Sequence, residues 1–261
     1  MLLNQAQTLI EEPIQFEWNL VMWLIQHFSL DGFLMGLVTV VGVIFCIVIP
    51  YLLGSINPAI LFSKLIYKDD IRKHGSGNAG TTNMLRTFGL KAAALTLVCD
   101  FLKAIVAVVI GRLIFAVEFG GAIAGFFVVF GHMFPIYYRF KGGKGVACAG
   151  MVALAIHPII FLFLVFIFLV VTIGTRFVSL ASVMCAFFYP LLFRAFSNRG
   201  LCVAMACLIM AFVIFMHREN IKRIMDHKES KIDLSRFSLK KKKKKPEDAE
   251  ATDAPSDPDA Q

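Results

Sequence analysis

Two short polar stretches combine glycine with cations in a chain that is otherwise mostly apolar. The first is RKHGSGNAGTTN over residues 72–83, and the second is KGGKG over residues 141–145. Glycine lets backbone N–H groups come close to a ligand, and lysine and arginine attract phosphate oxygens. A helix that begins near Thr81 would add its free N–H groups to the same anion. The two stretches therefore predict an anion site.

Polar side chains elsewhere are candidates for the same site. Arg86 follows the first stretch, and His217 and Asn220 are spaced to share one helix face. Glu229 lies twelve residues beyond His217, and two serines stand between apolar runs. The candidate site residues are Ser76, Asn78, Asn83, Arg86, Lys141, Gly142, Gly143, Lys144, Gly145, Ser179, Ser182, His217 and Asn220.

The composition requires membrane helices to position these residues. Of the 261 residues, 58% are hydrophobic and 26 are Phe, and the mean hydropathy is +0.73. Soluble domains have roughly 45–50% apolar residues, and a helix needs roughly 20 apolar residues to cross a bilayer. We predict an all-α integral membrane protein with about seven transmembrane helices, one of them short. The predicted spans are 33–63, 90–115, 120–138, 145–156, 159–174, 178–194 and 200–216.

The charge distribution predicts the orientation of the spans. Residues 1–63 contain four acids and no Lys or Arg, whereas residues 64–91 carry six Lys or Arg. The positive-inside rule then places the N-terminus outside and the second segment in the cytoplasm. An odd number of crossings keeps the lysine-rich region after Met216 in the cytoplasm. We therefore interpret His157-Pro158 as a break between two segments, the alternative being a kink within one helix.

The chain divides into three parts. Residues 1–32 are predicted to be extracytoplasmic, with 14–30 forming either an amphipathic helix at the outer interface or an extension of the first span. Residues 33–230 form the membrane domain. Residues 231–261 form a cytoplasmic tail, rich first in lysine and then in acids, which we expect to be disordered. The lysine run suits anionic lipid, and it does not predict nucleic-acid binding because no basic folded domain accompanies it.

Charged and sulfur-containing residues within the spans are further candidates for functional roles. Asp100 and Lys103 lie three apart, so they can pair on one helix face and either lock helix packing or contribute to substrate binding. The six cysteines show neither CxxC spacing nor a Cys/His cluster. We interpret them as small hydrophobic residues, not as disulfides or metal ligands. The sequence predicts no metal and no cofactor.

Each signal has a plainer explanation when it is taken alone. Cationic loops are what the positive-inside rule predicts for any membrane protein. KGGKG is not a Walker-type phosphate loop, because Val146 follows Gly145 where Ser or Thr would be needed. Four hydrophilic segments on one face nevertheless combine glycine, cations, hydroxyls and a His–Asn pair. Together they favour a cytoplasm-facing site for a phosphorylated small molecule.

In their order along the chain, these motifs resemble one known family. The motifs are GSI at 54–56, IRKHGSGNAGTTNMLR at 71–86, GHMFP at 131–135, FKGGKGV at 140–146, SLAS at 179–182 and HRENI at 217–221. They are similar to those of the bacterial acyl-phosphate-dependent glycerol-3-phosphate acyltransferases, the PlsY family. The resemblance extends from about residue 40 to 230.

The resemblance implies a reaction at the bacterial inner membrane, the first step of phospholipid synthesis. An acyl group would move from acyl phosphate to the 1-hydroxyl of glycerol 3-phosphate, giving lysophosphatidic acid and phosphate. The resemblance implies that the catalytic residues are Ser76, Arg86, His217 and Asn220. It implies that glycerol 3-phosphate is bound by Lys141, Lys144 and the adjacent glycines, with a further contact from Ser179 or Ser182. By the same resemblance Glu229 would be a structural carboxylate. His217 is either a general base or a hydrogen-bond partner.

Some features depart from the family or favour another function. Residues 1–30 and the tail lie outside the resemblance, and His227 stands where the family has a glycine. An acyltransferase of the soluble type would need a His-x4-Asp motif, and no histidine here has Asp five positions on. A transporter for phosphorylated solutes is the alternative, although no inverted repeat is evident. The oligomeric state and the acyl-chain preference are left open.

Overall fold

The computed structural model describes residues 19–197 and 199–232, and the predictions for residues 1–18 and for the tail from residue 233 onward lie outside that part. Eleven α-helices run through the described residues. They are α1 (Leu20–His27), α2 (Gly32–Ser55), α3 (Pro58–Leu65), α4 (Thr81–Phe88), α5 (Leu90–Ile114), α6 (Ala122–Met133), α7 (Val146–Ile156), α8 (Pro158–Thr175), α9 (Val178–Phe196), α10 (Gly200–Met216) and α11 (Arg218–Met225).

The helices confirm the all-α membrane class. Five segments are long and apolar enough to cross a membrane, and α10 with α11 makes a sixth if this pair, bent by 54°, counts as one span. The five are Gly32–Leu65, Leu90–Ile114, Glu118–Tyr138, Pro158–Thr175 and Val178–Phe196. The predicted short span corresponds to α7, which has only 11 residues. Each of the seven predicted spans therefore coincides with helical structure, but not each is long enough to cross alone.

The first predicted span, 33–63, contains a break that the sequence analysis did not anticipate. α2 ends at Ser55, and α3 begins at Pro58 after the extended residue Asn57. The buried side chain of Asn57 caps α3 by accepting from Ile60 N at 3.1 Å, and its Nδ2 donates to Ala79 O at 3.3 Å. Proline suits the first helical position because its missing N–H would have no helical partner there. The break thus ties α3 to the first glycine stretch.

The N-terminal described residues form a separate helix. Asn19 Oδ1 accepts from Met22 N at 2.9 Å and caps α1, while Asp31 caps α2 by accepting from Leu34 N at 3.0 Å. Val21 of α1 is buried in a cluster with Cys46 and Ile114. Of the two alternatives for residues 14–30, the described part is a helix of its own and not an extension of α2. Its place at the outer interface stays a prediction.

The short helix α7 explains where the second glycine stretch lies. Cys148 Sγ contacts the Asp100 carbonyl at 3.6 Å, and Arg112 Nη1 donates to Ala155 O at 3.0 Å. α7 therefore begins beside Asp100, ten residues into α5, which is about 15 Å from the start of that helix. The end of the second glycine stretch, next to the start of α7, therefore lies level with the interior of α5 and not with its start. The break predicted at His157-Pro158 is present, since His157 is extended between α7 and α8.

Candidate active site

A cavity of about 660 Å³ opens where the two glycine stretches meet. Its polar lining comes from loops and helix ends, and its apolar lining comes from the interiors of α5, α7, α8, α9 and α10. The polar lining residues are Ser76, Asn78, Thr81, Thr82, Asn83, Arg86, Asp100, His132, Lys144, Thr172, Ser179, Ser182, His217, Asn220, Glu229 and Ser230. The cavity therefore joins a polar region to an apolar groove.

Asn83 shapes the first glycine stretch from inside. Its side chain is 1% exposed, and Nδ2 lies within 2.9–3.2 Å of the carbonyl oxygens of Ile71, His74 and Asn78. Its Oδ1 accepts from the backbone N–H of Ser76 at 3.1 Å. Both ends of the amide are used within the loop, so the geometry contradicts the predicted role of Asn83 as a substrate ligand. Its effect is to hold Ser76 at the cavity wall.

Arg86 lies on α4, which begins at Thr81, at the position the sequence predicts. The residues at the start of this helix, Gly80, Thr81 and Thr82, line the cavity together with Arg86. Arg86 Nη2 donates to Ser230 O at 3.4 Å. The cavity wall thus carries a guanidinium group and a helix N-terminus, both of which favour an anion.

The second glycine stretch differs from the phosphate clamp that we predicted. Gly142 N donates to Met133 O at 3.2 Å and Gly143 N donates to His132 O at 3.1 Å, so neither N–H is free. A β-carbon at Gly142 would collide with the His132 carbonyl, and one at Gly143 would collide with the imidazole of His132. These glycines are needed for packing. Gly142, Gly143 and the exposed Lys141 do not line the cavity, whereas Lys144 and Gly145 do.

A hydrogen bond joins Lys144 of the second glycine stretch to α11. Its Nζ donates to Asn220 Oδ1. Burial lowers the pKa of Lys144 to about 8, with Glu229 opposing this change and Arg223 and Arg86 adding to it. Lys144 is therefore a cation at neutral pH that loses its proton more readily than an exposed lysine.

The carboxylate of Glu229 connects three segments. Its Oε1 accepts from Ser179 Oγ and from Asn220 Nδ2, both at 2.7 Å, and its Oε2 accepts from Arg223 Nε at 2.8 Å. Burial opposes ionisation of Glu229, but these hydrogen bonds outweigh it and hold the pKa below its usual range. The turn before Glu229 forms with His227 in the left-handed region, φ 54°, at the position where the resemblance predicts glycine.

His217 presents a hydrogen-bond acceptor to the cavity. Its Nδ1 lies 2.8 Å from Val213 O, and since a carbonyl oxygen only accepts, Nδ1 carries the hydrogen. Nε2 then bears a lone pair in the neutral ring. Ser182 lines the same cavity, and its Oγ donates to Val178 O at 2.8 Å. His217 is thus arranged to take a proton from, or accept a hydrogen bond from, a bound hydroxyl group.

A buried polar cluster borders the cavity, and the sequence analysis found only part of it. Lys103 Nζ lies 2.8 Å from Asp100 Oδ1, as the spacing of three predicts, and also 2.9 Å from Nδ1 of His132. Asp100, His132 and Cys148 bring their ligand atoms within 4.8 Å of one another, a grouping typical of a metal site that we did not predict. The Lys103 ammonium contacts two of those three side chains, so the cluster already contains its own cation.

Comparisons with known proteins bear on this arrangement. The family model described as "Glycerol-3-phosphate acyltransferase" matches residues 44–227. The chain belongs to the glycerol-3-phosphate acyltransferase family. The glycerol-3-phosphate acyltransferase of Bacillus subtilis (strain 168) is 40% identical over 186 residues, which cover 71% of this chain and 95% of the relative. The one from Geobacillus kaustophilus (strain HTA426) is 41% identical over 187 residues, covering 71% and 94%.

Two solved structures of this family share the fold. Both are of PlsY (YgiH), an integral membrane glycerol 3-phosphate acyltransferase, and both are 35% identical to this chain. The glycerol 3-phosphate form has a TM-score of 0.71 and covers 74% of this chain and 97% of its own. The lysophosphatidic acid form has a TM-score of 0.68 and covers 73% and 95%. The resemblance to the PlsY family is confirmed, and an acyltransferase is favoured over the transporter alternative.

The family match covers only part of the described chain. It leaves out α1 and begins within α2. It ends at residue 227, so Glu229 and Ser230, which line the cavity, lie just beyond it.

Proposed function

We propose that this acyltransferase moves an acyl group from acyl phosphate to the 1-hydroxyl of glycerol 3-phosphate, giving lysophosphatidic acid and inorganic phosphate. The observation that carries the proposal is the single cavity that joins a cationic polar region to an apolar groove. Lys144 and Arg86 supply positive charge for phosphate groups, and the groove suits an acyl chain. Each buried methylene is worth ~0.8 kcal/mol, so the chain contributes much of the donor's affinity.

The reaction forms one C–O bond and breaks another. The hydroxyl oxygen of glycerol 3-phosphate attacks the carbonyl carbon of acyl phosphate, and a new C–O ester bond forms. The bond from that carbon to the phosphate oxygen breaks, and phosphate leaves with the electron pair. His217 Nε2, which bears the lone pair, accepts the hydroxyl proton and passes it to the departing phosphate, which leaves as hydrogen phosphate. Because acyl phosphate is a mixed anhydride with a good leaving group, positioning and charge stabilisation supply most of the acceleration.

The proposed roles follow from where the side chains lie. Ser76 and the N-terminus of α4 face the cavity beside Arg86, and these groups stabilise charge on one phosphate. Lys144 and Asn220 hold the other reactant, and Ser179 and Ser182 add hydroxyl groups. Glu229 fixes Asn220 and Ser179 by hydrogen bonds of 2.7 Å. The role of Glu229 is positional, because its carboxylate oxygens are used by these partners and by Arg223.

We further propose that the polar end of the cavity faces the cytoplasm of a bacterium and that the protein lies in the inner membrane. Six Lys or Arg occur in residues 64–91, which include the first glycine stretch, and twelve occur in residues 217–245, which follow α10 in the sequence. The positive-inside rule supports a cytoplasmic position for these segments and an external N-terminus. Cysteine-accessibility labelling of intact cells tests it, and labelling of residue 68 from outside, in a Lys68→Cys variant, would contradict it.

Matched variants test the proposed site. Arg86→Ala and Lys144→Ala remove cations that line the cavity, whereas Arg218→Ala and Lys141→Ala remove exposed cations that do not. We expect the first pair to lose at least about 100-fold in kcat/KM, as for a lost charge-assisted contact in the transition state, and the second pair to stay near wild type. Equal activity in both pairs would remove Arg86 and Lys144 from the site.

A further inference from the structure

His132 is a buried polar residue with close polar neighbours at only one of its two ring nitrogens. It ends α6 next to Met133, is 4% exposed and lines the cavity. Its Nδ1 has two close neighbours, Lys103 Nζ at 2.9 Å and Asp100 Oδ1 at 3.2 Å. Within residues 19–197 and 199–232, Nε2 has no hydrogen-bond partner. Because the imidazole lines the cavity, Nε2 is open to a ligand there and is not a sealed, unpaired buried atom.

The neighbours of Nδ1 decide where the hydrogen of the ring lies. A lysine ammonium can only donate, and it is the closer of the two neighbours. If Nδ1 carried a hydrogen, that hydrogen would face the ammonium hydrogens at 2.9 Å. Because the ammonium is closer to Nδ1 than the carboxylate is, we assign Nδ1 as the acceptor, and the neutral ring then carries its hydrogen on Nε2. The Asp100–Lys103 pair thus makes Nε2–H a hydrogen-bond donor.

This donor lies where the two glycine stretches come together. A β-carbon at Gly143 would collide with His132 Nε2, and it would lie 2.6 Å from Ala79 O of the first stretch. The neighbours of these residues along the chain, Gly80 and Lys144, both line the cavity. Gly143 thus leaves room for the imidazole beside the cationic region, and Nε2 is the polar atom of His132 that is still without a partner.

We propose that His132 is a further substrate-binding residue, whose Nε2–H donates a hydrogen bond to a phosphate oxygen of a reactant in the cavity. This proposal rests on the proposed function, because it assigns a ligand to the same cavity. Lys103 and Asp100 act through His132 as positioning residues that fix its tautomer. The oxygen belongs to acyl phosphate or to glycerol 3-phosphate, since both reactants carry phosphate.

Two substitutions separate the two nitrogens of His132. His132→Gln places an amide N–H near the Nε2 position and gives up the contact with Lys103, whereas His132→Asn keeps an acceptor for Lys103 and gives up the donor. We expect His132→Asn to lose about 10- to 100-fold in kcat/KM for the reactant whose phosphate is bound. We expect His132→Gln to stay within about threefold of wild type. The control is His157→Asn, which changes a buried histidine that does not line the cavity.

The measurement is kcat/KM for each reactant with the other saturating, together with thermal unfolding of each variant in detergent. A loss confined to one reactant identifies the phosphate that is bound. A folded His132→Gln that is as inactive as His132→Asn overturns the proposal, and so does a fully active His132→Asn. Failure of both variants to fold makes His132 a structural residue and also overturns it.

The proposal is separable from the identity of the acyl donor. If the wild type forms no lysophosphatidic acid from acyl phosphate, the proposed donor is wrong, and calorimetric titration with glycerol 3-phosphate and with inorganic phosphate then replaces the kinetic assay. Weaker binding by His132→Asn than by wild type and His132→Gln supports the contact. Equal binding by the three proteins contradicts it.

Discussion

Lys144 gives the candidate active site a pH dependence that an exposed lysine would not. Burial lowers its pKa to about 8, so Lys144 is protonated below pH 8 and neutral above it. If its charge holds a phosphate group, kcat/KM for glycerol 3-phosphate falls as pH rises through 8. From the fraction protonated, the fall is about tenfold between pH 7 and pH 9 and about 30-fold at pH 9.5. A lysine with the usual pKa of about 10.4 would give an almost flat profile of kcat/KM against pH up to pH 9.5.

The assay is the initial rate at saturating acyl phosphate, from pH 7 to 9.5, where phosphate monoesters keep their full charge because their second pKa is about 6. Lys144→Arg should give a flat profile relative to its own value at pH 7, because a guanidinium stays charged. Glu229→Gln should move the break to lower pH, since the carboxylate raises the pKa of Lys144. A flat wild-type profile, or the same break in Lys144→Arg, would refute the reasoning.

Three further substitutions, one of them with a control variant, test how the site is built. Asn83→Ala removes one of the hydrogen bonds to each of three carbonyls and leaves the Ser76 N–H of the first glycine stretch without a partner. It should lower the free energy of unfolding by about 1–3 kcal/mol and remove most of the activity; wild-type stability would contradict its role. Gly142→Ala should lower stability by about 1–3 kcal/mol because its β-carbon meets the His132 carbonyl, whereas Gly174→Ala, with no atom within 4 Å, should be neutral or stabilising. His227→Gly should raise stability by up to about 1 kcal/mol by relieving a left-handed residue, and a loss would show that the side chain has another role.

Local patterns predicted where most of the helices lie and the contacts along one helix, but not the break between α2 and α3. Apolar runs predicted the spans, and the start of α4 at Thr81 and the Asp100–Lys103 pair of α5 follow from short-range rules. The ordered motifs identified the family. Such features depend on residues within a few positions of each other, where spacing fixes geometry.

Contacts between distant segments could not be predicted in the same way. Gly142 looked like a phosphate ligand, but its N–H donates to a carbonyl at the end of another helix. His132 belongs to the GHMFP motif but was given no role, because its role depends on Lys103, 29 residues away, and on the cavity beside it. The position of the end of the second stretch depends on α7 packing against the middle of α5. No local pattern records which backbone groups are already paired across the fold.

The central claim is that the apolar groove and the cationic region serve one reaction with acyl phosphate as the donor. The most direct measurement is to incubate purified protein in detergent with glycerol 3-phosphate and either acyl phosphate or acyl-CoA, and to quantify lysophosphatidic acid and released phosphate together. We predict one phosphate per lysophosphatidic acid from acyl phosphate, no product from acyl-CoA, and loss of both products in Arg86→Ala. Product from acyl-CoA alone, or phosphate release without lysophosphatidic acid, would contradict the account.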